Sequence, residues 1–411
     1  SPNQIDQYVK DNSDVLDGIR VWDWEAAFAK LKPEIGLIPY VNFEDNDILR
    51  FDDKLYWTAS MAPILPTSVS LENQWYNEHL VYTHVPEGFL TLEATSGQIV
   101  DSSELFEQRQ IYYGEGGLLD ETWSGYPTDR GSTTAELNNA SYDGLGGLEI
   151  SPPISWLFEP NFMISYPGTS IHVLRYKDVN ERMETLYPYF LYNLFGKEID
   201  SLPVTDGENT YWLVPLIVGF DSSSVPWSAG NPYLRLVGYG LVDTYNGNVQ
   251  LIKHGDDFFS NMFLDQYQDK VIEMPTWLEE QIRYPQELFN WRTEMYNIYH
   301  VTDVDIFIQA NEFYEIPRGL DTYYVEAKPP GFEEPEFIGL LSLELRGSQG
   351  RNLAGYMVVQ NDLPNLGKMQ FYEVPIESET KLLGPTSVRE ALDRDPDFAQ
   401  LKTLLRNPRI G

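Results

Sequence analysis

The residues of this sequence that could do chemistry are mostly carboxylates. Lys and Arg total 28 against 63 Asp and Glu, and five histidines occur, His79, His84, His172, His254 and His300. Paired carboxylates are what glycoside hydrolysis needs, one as acid and one as base or nucleophile, but a chain this acidic offers such pairs everywhere, so none can be singled out. Asp45, Asp47, Asp52 and Asp53 could donate oxygens to calcium; they lack the glycine and terminal glutamate of an EF-hand loop, and solvated turn acids are the alternative reading. The histidines form no His-Glu-x-x-His motif, and His79 and His84 point to opposite faces of the strand expected between them, so packing or surface roles are expected for all five. Trp75, Trp123, Trp156, Trp227, Trp277 and Trp291 could stack sugars in a cleft or equally pack in a core. There is no Gly-x-Ser-x-Gly elbow and no Walker loop, and Gly114-Glu115-Gly116-Gly117 opens a loop rather than a helix after a strand, which removes the dinucleotide fingerprint. No catalytic, cofactor-binding or metal-ligating residue is therefore assigned, and no cofactor is expected.

The formal charge of −35 repels phosphate backbones and anionic lipid surfaces, so nucleic acid is not an expected partner. No run of five acidic residues occurs; the charge is spread over folded surface, where it is expected to act as a solubilising skin, the alternative being a surface that loads cations or a basic partner. The absence of cysteine excludes disulfides, thiolate metal sites and a cysteine nucleophile. No stretch reaches the roughly 18–20 consecutive apolar residues that cross a bilayer. The sequence begins at Ser1 rather than Met, which fits a chain from which an anchor has been removed, and Asn139-Ala140-Ser141 is a glycosylation acceptor triplet.

The elements that must position these groups follow from periodicity. Three- and four-residue spacing predicts two opening helices, the second capped by Asp23 and ended by Pro33. Strands are expected at Lys54–Met61, His79–His84, Gly88–Ala94 and Gln110–Tyr113, and Gly114–Gly147 reads as one long surface loop. Helices follow at Pro153–Ile164 and Asp178–Leu194. Strands return at Thr210–Phe220 and Tyr233–Lys253, the latter turned by Asn246-Gly247 in a type I′ conformation. A helical block from Asp257 to about Ala310 precedes strands at Thr322–Ala327, Glu336–Leu345, Ala354–Gln360 and Met369–Val374, and helices at Thr386–Leu392 and Pro396–Leu405 close the chain. Runs of strands alternating with runs of helices point to an α+β fold of hairpin-rich antiparallel sheet modules.

At 411 residues the chain exceeds the size of one hydrophobic core. Three segments are expected: 1–150 with the first sheet module and the long loop, 151–275 with a second, and 276–411 with the helical block and a third. Leu55-Tyr56-Trp57, His79–Tyr82 and Gly88–Leu92 echo Thr210-Tyr211-Trp212, Arg235–Gly238 and Gly247–Leu251. An internal repeat and the chance echo of hairpin-rich sequence both remain open readings.

The block Gln281-Ile282-Arg283-Tyr284-Pro285-Gln286-Glu287-Leu288-Phe289, continuing through Glu294-Met295-Tyr296 to Tyr299-His300-Val301-Thr302-Asp303, resembles a signature of uncharacterised protein family 0182, bacterial and archaeal multi-spanning membrane proteins. Val21-Trp22-Asp23-Trp24, Tyr112-Tyr113-Gly114-Glu115, Val242–Gly247 and Leu383-Gly384-Pro385 match in family order, so the resemblance covers nearly the whole chain. It departs from the family in lacking the transmembrane part. The resemblance implies a location, an extracytoplasmic region at the cell membrane, and carries no catalytic residue. The expected role is non-catalytic binding of an envelope component or partner protein; the alternative is an envelope polysaccharide-acting enzyme using paired carboxylates.

Overall fold

The computed structural model describes residues 7, 10, 19–20, 22–38, 40–120, 123–128, 142–223, 230–309, 313–346, 351–374 and 381–405. The chain forms two compact units, Arg20–Gln281, and Ile282–Gly411 together with Ser1–Ile19. The architecture is α+β, built on antiparallel sheets.

In the larger unit the first sheet has the order β1 (Val41–Phe51), β2 (Lys54–Pro63), β3 (Phe89–Glu93), β4 (Ile99–Val100). A three-stranded sheet follows from β5 (Ser124–Pro127), β6 (Leu148–Ile150) and β7 (Ile171–Leu174), then a short hairpin of β8 (Asn193–Leu194) and β9 (Lys197–Glu198). The next large sheet runs β10 (Leu202–Thr205), β11 (Thr210–Phe220), β12 (Tyr233–Asp243), β13 (Val249–Lys253), β14 (Val271–Ile272), antiparallel except for its last pair. In the smaller unit β15 (Tyr314–Glu315) and β16 (Tyr323–Ala327) both pair with β17 (Glu336–Leu345), which continues to β18 (Leu353–Gln360) and β19 (Met369–Glu373). Of the echoed segments, Leu55–Trp57 and Thr210–Trp212 both lie in strands, as do Phe89–Leu92 and Val249–Leu251, whereas His79 lies in a helix and Arg235 in a strand.

β2, β11 and β12 are buried along nearly their whole length, on both faces, which is why they read as continuous apolar runs rather than clean alternation. Trp212, Tyr239, Leu216 and Val237 lie in that interior with almost no exposure.

Several local expectations are corrected. Residues 74–80 are helical, not extended, because Trp75 and His79, one turn apart, both pack on Trp123, and Asn77 closes the turn by accepting from Tyr82 N at 2.8 Å. Gln110–Tyr113 makes only a single bridge to Val85, since Tyr112 N and Tyr113 N both donate to Thr244 O at 2.9 Å. Pro33 does not end its helix, which runs Trp24–Ile35 from its Asp23 cap; a proline in the last turn removes one donor and the following residues still close. The helix expected over Pro153–Ile164 breaks at Pro160 into Ile154–Phe158 and Asn161–Ser165, and that over Asp178–Leu194 stops at Leu186, before Pro188. Among its described residues the block Asp257–Ala310 holds three α-helices, Phe258–Leu264, Gln286–Tyr299 and Val304–Gln309, with two 3₁₀ turns and the short strand β14 between the first two.

Asn246-Gly247 is not a type I′ turn. Gly247 has a φ of 66° while Asn246 does not share the left-handed region, and the Asp243 carboxylate accepts from Tyr245 N and Asn246 N at 2.8 and 2.9 Å, stabilising a longer loop. Two-residue turns with both φ values positive occur instead at Asp52-Asp53, at 50° and 57° between β1 and β2, and at Phe195-Gly196, at 54° and 82° between β8 and β9. A Cβ on Gly247 would sit 2.6 Å from the Tyr113 ring. Gly247→Ala is therefore expected to destabilise the chain by about 2–4 kcal/mol, combining the left-handed penalty with overpacking, read as a lower urea midpoint with an unchanged far-ultraviolet circular dichroism spectrum.

Candidate metal centre

The convergence of acidic groups begins with a bulge. In the β1–β2 pair Phe43 faces Met61 and Asp45 faces Ser60, so Glu44 is an extra residue. Beyond it Asp45 and Asp47, two apart, project on one side of the strand, and Asp200, just before β10, meets them. Asp45, Asp47 and Asp200 each place a carboxylate oxygen within 4.8 Å of the other two, and Asp47 is only 5% exposed.

A fourth carboxylate arrives on the glycine-rich loop. Gly114 N donates to Lys177 O at 3.0 Å, and Val179 N donates to Gly114 O at 2.9 Å, which pins the loop to the start of the Val179–Leu186 helix. Gly116 and Gly117 have φ values of 71° and 56°; a Cβ on Gly116 would lie 2.2 Å from the Glu44 carboxyl carbon, and one on Gly117 2.5 Å from Pro63 O. Only glycine allows the loop to lie this close against the β1–β2 sheet. Glu115 is thereby held with its carboxyl enclosed although part of the residue meets solvent, and burial, reinforced by Asp200, Asp45 and Asp47, pushes it well above the usual carboxylate range. The fully buried Ser201 turns its hydroxyl toward this carboxyl without forming a well-aligned hydrogen bond, leaving an oxygen available in the cluster.

An outer set surrounds this core. Burial raises Glu44, with Asp120, Asp45 and Glu198 adding to the effect. Asp178 caps the Val179–Leu186 helix by accepting from Glu181 N at 2.7 Å, yet burial, Asp120 and Glu198 push it up to about 7. Behind the loop Lys177 is fully buried, donating at 3.3 Å to Thr83 O and 3.4 Å to Leu118 O; burial lowers it to about 7. His84, also fully buried, stacks on Tyr112 at 4.5 Å, and burial together with Lys177 lowers it to about 3.

An all-oxygen donor set of this kind suits a hard divalent cation such as calcium, which takes six to eight oxygens from mono- or bidentate carboxylates, carbonyls and hydroxyls. Asp45, Asp47 and Asp200 would hold it, with Glu115 and Ser201 beside them. Two of the four aspartates named from the sequence thus join the site, while Asp52 and Asp53 serve the turn. Asp200 and Glu115 were not readable: they lie far from Asp45 in sequence, and the available signal was the Gly114–Gly117 run, whose glycines mark a close backbone approach.

The histidines take packing roles. His79 hydrogen-bonds Trp123 O at 2.7 Å and stacks on that ring, His172 bonds to Gly146 O, and His300 stacks between Tyr296 and Tyr314. His254 lies at the end of β13, where its carbonyl accepts from Ser260. Trp75, Trp123 and Trp156 pack in one apolar cluster, Trp277 stacks on Tyr211, and Trp291 is buried. Asn139 and Trp227 lie outside the described residues, and no described helix is long and apolar enough to cross a membrane.

The profile of an uncharacterised protein family (UPF0182) matches residues 2–405. A UPF0182 protein of Methanospirillum hungatei is 27% identical, the match covering 98% of this chain and 49% of the relative. For one from Sulfurovum sp. the values are 25%, 98% and 48%, and for one from Desulforamulus reducens 24%, 96% and 46%. The chain thus spans about half the length of these curated relatives. No solved structure matches it.

Crowded carboxyls give a definite pH dependence without metal. Above the ordinary value near 4 the folded protein keeps a proton on the Asp120–Asp178 pair that the unfolded chain has released, so raising pH towards neutrality favours unfolding. Glu44 and Glu115 act in the same direction. Chelator-treated protein is expected to lose stability from pH 4 to pH 7, and Asp178→Asn, which keeps the helix cap, is expected to flatten the loss by on the order of 1–3 kcal/mol, measured by urea unfolding across that range.

Proposed function

The chain belongs to the uncharacterised protein family UPF0182, and from that premise we propose that it is the extracytoplasmic region of a membrane protein, closed by a bound divalent cation and presenting an acidic surface to an envelope component or partner protein. The observation that carries the cation is the convergence of Asp45, Asp47 and Asp200 within 4.8 Å, with Ser201 buried beside them. Like charges at this spacing repel strongly where water is thinned out, and a divalent ion reverses the sign of the interaction. Calcium suits the location, because extracellular modules work with affinities of roughly 10⁻⁴–10⁻³ M. A cysteine-free chain of net charge −35 supports the same side of the membrane. The membrane spans would lie in the part of the relatives that this chain does not align with.

A second reading, an envelope polysaccharide-acting enzyme, draws on the Asp120–Asp178 pair, since a carboxyl held up to about 7 is what a general acid requires. The tryptophans speak against it: among the described residues only Trp24, at 44%, is exposed enough to serve as an open stacking platform.

Calcium added to chelator-treated protein at neutral pH is expected to raise the melting temperature, by the equivalent of about 2.7 kcal/mol at one hundred times the dissociation constant. The double variant Asp47→Asn, Asp200→Asn should fold and lose the response. A melting temperature indifferent to about 10 mM calcium would remove the cation from the proposal. The location is tested on the complete reading frame, which should carry apolar segments of about 20 residues ahead of the region corresponding to Ser1; a frame without them or any export signal would refute it.

A further inference from the structure

In the smaller unit, one face of the Gln286–Tyr299 helix stands over β18 and β19 and leaves an open groove of about 310 Å³. The helix contributes Arg292, Met295, Tyr296 and Tyr299, residues at i, i+3, i+4 and i+7 that share a face. The strands contribute Met357, Met369 and Phe371 as its floor. The volume is at the lower end of the range for small-molecule sites, roughly 300–1,000 Å³. From Arg292 to Tyr299 the helix rises about 10 Å, so the groove is narrow and elongated. Three methionines and three aromatic rings make a surface that is apolar and can re-pack around a flexible guest.

Arg292 is the one formally charged side chain in this lining, and it is half-buried. Among the described residues it has no carboxylate partner; its one contact of note is a long approach, 5.8 Å, to the Tyr284 ring. In a chain with 63 acidic and 28 basic side chains, arginines readily find acids, as Arg109 does with Glu87, Arg235 with Asp257 and Arg351 with Glu390. Glu373 is close enough to Tyr296 to help raise the phenol and accepts from Tyr314 Oη at 3.2 Å, while Glu294 is exposed on the opposite side of the helix. The groove is therefore apolar along its length and cationic at one end.

We propose that this groove binds a long-chain carboxylate, with the carboxylate held by the planar fork of Arg292 and the alkyl chain lying across Met295, Met357 and Met369. A single guanidinium matches a carboxylate in two parallel hydrogen bonds, whereas a phosphate dianion calls for more donors than this lining holds. The site is separate from the carboxylate cluster and does not depend on it.

Decanoate is the probe, added to the full chain carrying ¹³C-methyl methionine. The resonances of Met295, Met357 and Met369 should shift and saturate while those of Met61 and Met183, in the other unit, stay in place. Decan-1-ol should bind at least tenfold more weakly, and Arg292→Gln should reduce decanoate to the level of the alcohol, as loss of a charge-assisted hydrogen bond requires. Unmoved methionine resonances, shifts confined to other methionines, or equal binding of acid and alcohol would each overturn the proposal. Unchanged Met61 and Met183 resonances show that the variant is folded; if it is not, the preference of the unaltered chain for decanoate over decan-1-ol decides the matter.

Discussion

The larger unit depends on one irregular segment, residues 110–117, and on the hydrogen bonds that stitch it between two sheets. Ile111 exchanges backbone hydrogen bonds with Val85, ahead of β3. Tyr112 N and Tyr113 N reach Thr244 O at the end of β12, and Tyr113 O accepts from Trp212 Nε1 at 3.0 Å. Gly114 then bridges to Lys177 and Val179. Ile111, Tyr112, Tyr113 and Gly114 donate their amides to Val85, Thr244 and Lys177 rather than to one neighbouring strand, and the value of the segment lies in joining elements distant in sequence.

The same segment determines the electrostatics. The stitching of Tyr112 and Tyr113 leaves Gly114–Gly117 pressed against β1 and β2, with glycines where the backbone comes within van der Waals range of Glu44 and Pro63. Glu115 therefore has no freedom to swing into solvent and joins Asp45, Asp47 and Asp200. Behind it Lys177 is enclosed with two long hydrogen bonds to carbonyls. Buried ionisable groups of both signs gathered around one stitched loop are an unusual expense in stability.

The smaller unit is organised differently. There the β16–β19 sheet is covered by aromatic and methionine side chains, with Tyr314, Leu343, Leu345 and Ala354 forming a compact cluster against Tyr296 and Phe371. The block that carries the family resemblance in sequence, from Gln281 onward, supplies the helix over this sheet. Its aromatic residues serve two tasks, closing the core on one side and lining an open groove on the other.

By itself the sequence determined the classes of element and much of their placement. Thr210–Phe220 and Glu336–Leu345 are strands with the expected limits, and Asp23, Asp178 and Asp257 cap helices as aspartates do. These are local matters, set by apolar spacing and by side chains that reach their own backbone. The tertiary structure alone decided which acids meet, that residues 74–80 coil around a Trp123 contact, that Asp52-Asp53 and not Asn246-Gly247 takes a turn with both φ values positive, and that Arg292 meets no acid among the described residues. The meeting of the acids and the coiling at Trp123 depend on partners tens to more than a hundred residues away, and the free energy of such contacts leaves no periodic trace in the chain. The acidity was legible from the first; where it converges was not, because carboxylates repel in solution and are brought together only by a fold that positions their backbones first.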